Sequence, residues 1–154
     1  MVDPPIRFKP GDDTQGFSVT NGPTKDEPCA GNAQGPVKAE FRAGEIIPIK
    51  WKITAAHRGT CTVQLSTTGK DTDFKDIKKL DKCADENGDF SEKVTLPNVN
   101  CERCTLRFRW DAEVTKELYI NCADIKIGKG NDKRNVKGIP SISRGGRVIN
   151  LDEI

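Results

Sequence analysis

Six cysteines, Cys29, Cys61, Cys83, Cys101, Cys104 and Cys122, in a chain of 154 residues are the strongest constraint on its fold. The set is even, and spacing alone leaves its connectivity open. Thiols used this freely belong to oxidising compartments, where cross-links persist, so a secreted, extracellular protein is expected. Composition explains the need for them: 34% of the residues are hydrophobic and 31% charged, a thin apolar supply for a core. The length suits a single principal domain. The opening Met1-Val2-Asp3-Pro4-Pro5 has no basic n-region, apolar h-region or cleavage site, so the expectation is that the natural first residue lies outside this sequence. No run approaches the roughly 18 apolar residues of a membrane span, and no membrane insertion is expected.

Periodicity points to strands. Val37, Ala39 and Phe41 alternate with Lys38, Glu40 and Arg42, and Ile47, Ile49, Trp51 and Ile53 alternate with Pro48, Lys50, Lys52 and Thr54. Pro48, which lacks an N–H, asks for an edge position or a bulge. Further strands are expected over residues 62–67, 90–96, 105–110 and 117–127, separated by turn residues such as Gly69, Asn87-Gly88 and Pro97-Asn98. Short strands at regular intervals predict an all-β, antiparallel sandwich of the immunoglobulin or fibronectin kind. Trp51 and Trp110 sit on alternating positions and read as core. Residues 73–80, with Phe74, Ile77 and Leu80 at three-residue intervals, are the one helix-like piece, or equally a loop stapled by Cys83. Residues 1–36, punctuated by Pro4-Pro5, Asn21-Gly22-Pro23 and Gly35-Pro36, read as extended loop.

Familiar catalytic motifs are missing: there is no G-x-S-x-G, no H-E-x-x-H and no phosphate loop. Cys101-x-x-Cys104 is read as a small structural disulfide that fixes a strand start. A zinc site would want a second such pair, and a redox pair would want a helix after it. The many Asp and Glu residues offer no way to single out a catalytic pair. The only histidine, His57, follows a strand and the small residues Ala55-Ala56 and precedes Gly59, at a strand end on an open surface. Its ordinary reading is a surface or core residue, and one imidazole does not hold a transition metal tightly without a partner nitrogen.

The order and spacing of several motifs resemble one family: the secreted copper-dependent lytic polysaccharide monooxygenases and their relatives with the chitin-binding type-4 domain. The resemblance covers Asp3 to Ile127. Its elements are Asp3-Pro4-Pro5-x-Arg7, Pro28-Cys29-Ala30-Gly31, Ala43-Gly44-Glu45 and Trp51-x-Ile53-Thr54-Ala55-Ala56-His57-x-Gly59. They continue with Leu96-Pro97, Cys101-x-x-Cys104 through Trp110, and Asn121-Cys122-Ala123-Asp124-Ile125.

This resemblance implies a β-sandwich with disulfides Cys29–Cys122, Cys61–Cys83 and Cys101–Cys104. It implies copper held by an amino-terminal histidine and a second histidine, here His57, as the catalytic centre. The first of these is absent from the sequence and is expected just upstream of Asp3. It also implies Ile127 at the position on the axial side of the metal, where the family usually has an aromatic. The implied activity is oxidative cleavage of a polysaccharide, chitin-like or another cell-wall glycan, using an external electron donor and oxygen or peroxide. The alternative is a non-catalytic relative that binds glycan or handles copper.

The implied domain spans residues 1–127, and residues 128–154 form a basic carboxy-terminal tail or linker. Within it, residues 128–147 carry Lys129, Lys133, Arg134, Lys137, Arg144 and Arg147 against Asp132 alone. The tail has no interleaved aromatics, so it reads as a solvated segment and nucleic acid is not expected as a partner. A monomer is expected.

Overall fold

The computed structural model describes residues 1–7, 19–20 and 28–129. Among them every regular element is a strand: β1 (Val19–Thr20), β2 (Ala39–Arg42), β3 (Ile46–Ile53), β4 (Gly59–Ser66), β5 (Lys75–Leu80), β6 (Gly88–Thr95), β7 (Cys101–Ala112) and β8 (Leu118–Gly128). A six-stranded sheet has the order β1-β8-β7-β4-β5, with β2 pairing β8 in parallel, and β3 and β6 make a two-stranded sheet. The result is the expected β-sandwich.

Alternation decides which side of each strand is buried. In β3, Ile47, Ile49, Trp51 and Ile53 are buried while Ile46, Pro48, Lys50 and Lys52 are exposed. They join Val63, Leu65, Leu106, Phe108, Trp110, Ile125 and Ile127 of the larger sheet in one core. Trp51 lies at its centre, stacked on Phe90 at 5.7 Å and tilted against Phe108 at 5.3 Å, with its indole N–H donated to the Cys83 carbonyl at 2.8 Å. Each such side chain contributes about 1.5–3 kcal/mol by leaving water. Pro48 costs nothing here. It has the same parity as Lys50, whose N–H and C=O bond to residues 2 and 3 rather than to β6, so no β3–β6 bond needs its missing N–H.

Two sequence readings need correction. Residues 75–80 form a strand, not a helix or loop. The β4–β5 register shifts between Val63 and Gln64, and the residue left between Lys78 and Asp76 is Ile77. That bulge lets Ile77 and Leu80, three positions apart, both pack on the core, while Phe74 lies on the other face under the Arg107 guanidinium at 3.8 Å. A bulged strand thus imitates helical spacing. The opening segment is not wholly loop either: Asp3 bridges Lys50 of β3, and Val19–Thr20 pair with β8. The basic segment beyond Lys129 lies outside the described residues.

All three disulfides pair as the resemblance implies. Cys29–Cys122 encloses by far the longest loop, a sequence separation of 93. In the chain-entropy account it is the strongest of the three, at about 4–5 kcal/mol. Cys101–Cys104 marks the start of β7, at the point where the β7–β8 register shifts.

Among the described residues, no third layer of strands or helices covers the outer face of the larger sheet. Cys29, Leu118, Ile120 and Cys122 make a small apolar cluster there. Beside it, Arg7 donates to both oxygens of Asp124 at 2.9 and 2.7 Å, to both oxygens of Asp71 at 2.7 and 3.0 Å, and to Thr105 at 3.1 Å. Thr105 in turn donates to Asp71 at 2.6 Å, and Gly35 N–H to Asp124 at 3.1 Å. Burial pushes the Asp71 carboxyl up, but the hydrogen bonds from Arg7 and Thr105 and the charges of Arg7 and Arg107 outweigh it and leave it below the ordinary carboxylate range.

A carboxyl depressed in the folded state adds stability that is complete above its unfolded value, about 4, and is lost as pH falls through the folded value. Asp71→Asn should therefore be less stable than the parent at neutral pH, and denaturant midpoints of the two should converge in acid. A gap that stays constant with pH would remove the Asp71 charge from the account.

Candidate functional site around His57

His57 stands in the connection between β3 and β4, and its neighbours fix it through the backbone. Ala56 N–H donates to the Asn87 side chain at 2.8 Å, and the Trp110 indole N–H donates to the His57 carbonyl at 3.1 Å. Two residues on, Gly59 pairs with Ala112. A Cβ at Gly59 would stand 2.0 Å from the Asp111 carbonyl oxygen, so only glycine lets β4 start this close to β7. That approach draws His57 against the end of β7.

The β7–β8 hairpin supplies the rest. Ala112 N–H donates to the Glu117 carbonyl at 2.9 Å, Glu113 N–H donates to the Arg58 carbonyl at 2.9 Å, and Lys116 takes a left-handed conformation, φ 61°. The turn is therefore bonded both to itself and to the residue after His57. Trp110 and Tyr119 are cross-strand partners, their rings stacked at 4.1 Å, and the imidazole lies at 5.9 Å from Trp110 and 6.5 Å from Tyr119. Glu117 completes the group: one carboxylate oxygen, Oε1, accepts the Tyr119 hydroxyl at 3.0 Å and lies 4.0 Å from His57 Nε2. The His57 and Glu117 side chains are about one-third exposed, 33% and 38%, so the site opens to solvent on one side.

The structure does not bring Ile127 to this place. Ile127 is fully buried in the core at the other end of β8, about 26 Å from Tyr119 at roughly 3.3 Å per residue. Tyr119 and Ile127 share the inward face, so alternation alone does not separate them; the aromatic beside His57 is Tyr119. The six cysteines are spent in disulfides and none enters the site. Glu117 and Trp110 were not legible as site residues. The signal that finds them is register: Gly59 opposite Ala112, then Trp110 opposite Tyr119.

The donor types fit a transition metal in part. The His57 imidazole nitrogen and one Glu117 carboxylate oxygen lie 4.0 Å apart at a partly exposed edge, with the Tyr119 hydroxyl donated to that oxygen, and two such groups do not by themselves close a copper site. Among the described residues no group of three or more His, Cys, Asp or Glu converges.

Tyr119 is the chain's single tyrosine, so tyrosinate absorbance reports it alone. Burial, the hydrogen bond to Glu117 and the Glu117 charge all raise its pKa. The phenol should titrate above its ordinary value of about 10, and Glu117→Gln should move the midpoint down toward that value. Identical midpoints in the two proteins would mean that the Tyr119–Glu117 bond is not formed in solution.

Comparison with known proteins agrees with the fold and the motif order. Residues 11–125 match the family described as lytic polysaccharide mono-oxygenase, cellulose-degrading. An AA11 family lytic polysaccharide monooxygenase of Aspergillus fumigatus is 29% identical over 144 residues, covering 77% of this chain and 34% of that protein. A lytic polysaccharide monooxygenase of Emericella nidulans is 36% identical over 44 residues, covering 29% of this chain and 13% of that protein. The chain thus spans about a third or less of the length of these curated relatives. Among solved structures, a lytic polysaccharide monooxygenase of Jonesia denitrificans superposes with TM-score 0.54 at 20% identity, covering 82% of this chain and 97% of that one. One of Kitasatospora papulosa gives 0.55 at 17%, covering 75% and 74%, and an AA15 enzyme of Thermobia domestica in the Cu(I) state gives 0.51 at 19%, covering 60% and 64%. Structural likeness at these identities speaks for the sandwich, and the family match, over most of the sequence, says that this chain belongs to the lytic polysaccharide mono-oxygenase family.

Proposed function

We propose that residues 1–127 are the catalytic domain of a secreted, copper-dependent enzyme that cleaves a polysaccharide oxidatively, with His57 as a copper ligand and an external electron donor as the second partner. The observation that carries this reading is His57 itself. The chain's only imidazole stands at a solvent-open strand end on a Trp110–Tyr119 stack, in a chain of this family. Copper is supported by the Thermobia domestica relative, solved in the Cu(I) state. The disulfides support an oxidising, extracellular setting. The substrate is a chitin-like or other cell-wall glycan, and the family description adds cellulose to the candidates. Among the described residues no helix is long and apolar enough to cross a membrane.

When bound, copper supplies the one-electron chemistry that activates the oxidant. The protein's own residues do the positioning. Trp110 ties the His57 backbone through its indole N–H, which leaves the imidazole nitrogen free to act as a ligand. The Trp110 and Tyr119 rings shield the inner side of the site from water, and Glu117 keeps the Tyr119 phenol oriented as a donor. A flat glycan chain meets the site from its solvent-open side.

His57→Ala should abolish copper-dependent release of oxidised sugars, measured by chromatography of soluble products. It should leave the stability of the copper-free protein within about 0.5 kcal/mol, because the side chain is one-third exposed. Undiminished product release from the variant would overturn the role of His57. Retention on insoluble polysaccharide that needs neither copper nor His57, without any oxidised product, would make the chain a glycan-binding relative instead.

A further inference from the structure

We propose that Cys101–Cys104 is a thiol-exchange site: a dithiol reductant opens this disulfide in the folded protein, ahead of the other two, and leaves the sandwich standing. The inference is independent of any role for His57, which stands at the opposite end of β7. Exchange begins when a thiolate reaches a disulfide sulfur, so access decides which bond reacts. Cys29 is 3% exposed, Cys122 1%, and Cys61, Cys83 and Cys104 0%. Cys101 alone is partly exposed, and the two residues inside its ring, Glu102 and Arg103, are exposed. It is the one disulfide residue that a thiolate can approach without first opening the core.

What the fold loses on opening depends on the loop a disulfide closes. The sequence separations are 3 for Cys101–Cys104, 22 for Cys61–Cys83 and 93 for Cys29–Cys122, and the shortest loop constrains the unfolded chain least. Backbone pairing holds the neighbourhood as well. β7 and β8 meet at Cys101↔Ile127 and Cys104↔Ile125, so three steps along β7 face two along β8, and the disulfide closes the extra residue into a bulge. From Cys104 to Asp111 the register is continuous, and on its other side β8 is held by β2 through Ala39↔Ile125 and Phe41↔Ile127. Opening the ring therefore frees residues 101–103 and leaves the rest paired. Cys104 Sγ lies 3.3 Å from the Cys101 carbonyl oxygen, so the buried thiol formed there has an acceptor and stays within reach for reclosure.

The step moves two electrons. One thiolate of the dithiol attacks Cys101 Sγ, the S–S bond breaks, and its electron pair leaves on Cys104 Sγ, which takes a proton. The second thiolate attacks the reagent's sulfur in the mixed disulfide and releases Cys101 as a thiolate that is protonated in turn. The reagent ends as a cyclic disulfide and the protein as two thiols. The pair is a substrate for exchange rather than a catalyst of it, because it lies on a strand, β7, and not at a helix N-terminus that would lower a thiol pKa.

The test treats the full chain with dithiothreitol under native conditions, quenches samples by acid and alkylation, and maps each cysteine by peptide mass. Tryptophan emission and amide hydrogen exchange are read on the same samples. The proposal expects Cys101 and Cys104 to be alkylated together at least about tenfold faster than any other pair, with unchanged emission. Lost amide protection should be confined to residues 101–103 and their partners in 125–127. Oxidised glutathione should then restore the bond. A Cys101→Ala, Cys104→Ala double variant should show no alkylation over the same interval. If another pair opens first or at the same rate, if the variant is alkylated elsewhere in that interval, or if thiols appear only as the emission reports unfolding, the proposal is overturned.

Discussion

The structure depends on one buried arginine. The small sheet, β3 and β6, covers the inner face of the larger one, and among the described residues the outer face carries only a small apolar cluster. Arg7 solves this by holding Asp71, from the β4–β5 connection, and Asp124, from β8, in one pincer that also engages Thr105 of β7. A guanidinium has five N–H donors in a fixed plane, which is what lets a single side chain satisfy two carboxylates at once. Replacing such a network with apolar side chains is often neutral, but removing one member leaves a charge buried and costs about 3–5 kcal/mol. Its value lies in specificity: it determines which loops close the outer face and where.

The same segment joins the two sheets. Val2 and Asp3 bond to Lys50 of β3, and four residues later Arg7 N–H donates to the Cys122 carbonyl of β8, 2.8 Å away. Arg7 fills the gap along the β8 edge between β1, which pairs at Leu118–Tyr119, and β2, which begins at Ile125. An edge that would otherwise expose unpaired backbone groups is covered piece by piece. Cys29–Cys122 pins the neighbouring loop to the same stretch of β8. β8 is therefore held on its β7 side, on its edge and from its outer face, and its register against β7 is secure. That register sets the Trp110–Tyr119 pair, and so the wall against which His57 rests.

Alternation is a local property, and what it governs was legible. The inward positions of β3, the burial of both tryptophans and the strand character of β2, β3, β4, β6, β7 and β8 follow from a period of two. The disulfide pattern followed from the resemblance of motifs, not from spacing. Residues 75–80 escaped because a single extra residue, Ile77, changes the apparent period from two to three. Ile127 was misassigned for a different reason. Parity along β8 gives the face but not the end, and the end that meets His57 is fixed by two registers, β4 on β7 and β7 on β8, that no local pattern encodes. The Arg7 cluster was hidden by distance in sequence, its partners lying 64 and 117 positions away.

The groups that hold the sandwich and the cluster around His57 occupy different parts of the molecule. The Arg7 pincer and the Cys29–Cys122 bond lie on the outer face near the middle of β8, whereas His57, Glu117 and Tyr119 gather at its beginning, where the hairpin turns. The link between the two regions is the continuous inner face, from Trp51 and Phe108 in the centre to Trp110 and Tyr119 at the rim. Each ring along it is fixed by packing or by a polar tip that finds a partner: the Trp51 N–H on Cys83, the Trp110 N–H on His57, and the Tyr119 hydroxyl on Glu117. Aromatic rings that satisfy their polar ends in this way carry order outward without leaving a buried group unpaired. The side chains at the end of that series are partly exposed. A rigid interior thus delivers a few polar side chains to a solvent-open edge. In this chain the residues delivered are one imidazole, one carboxylate and one phenol.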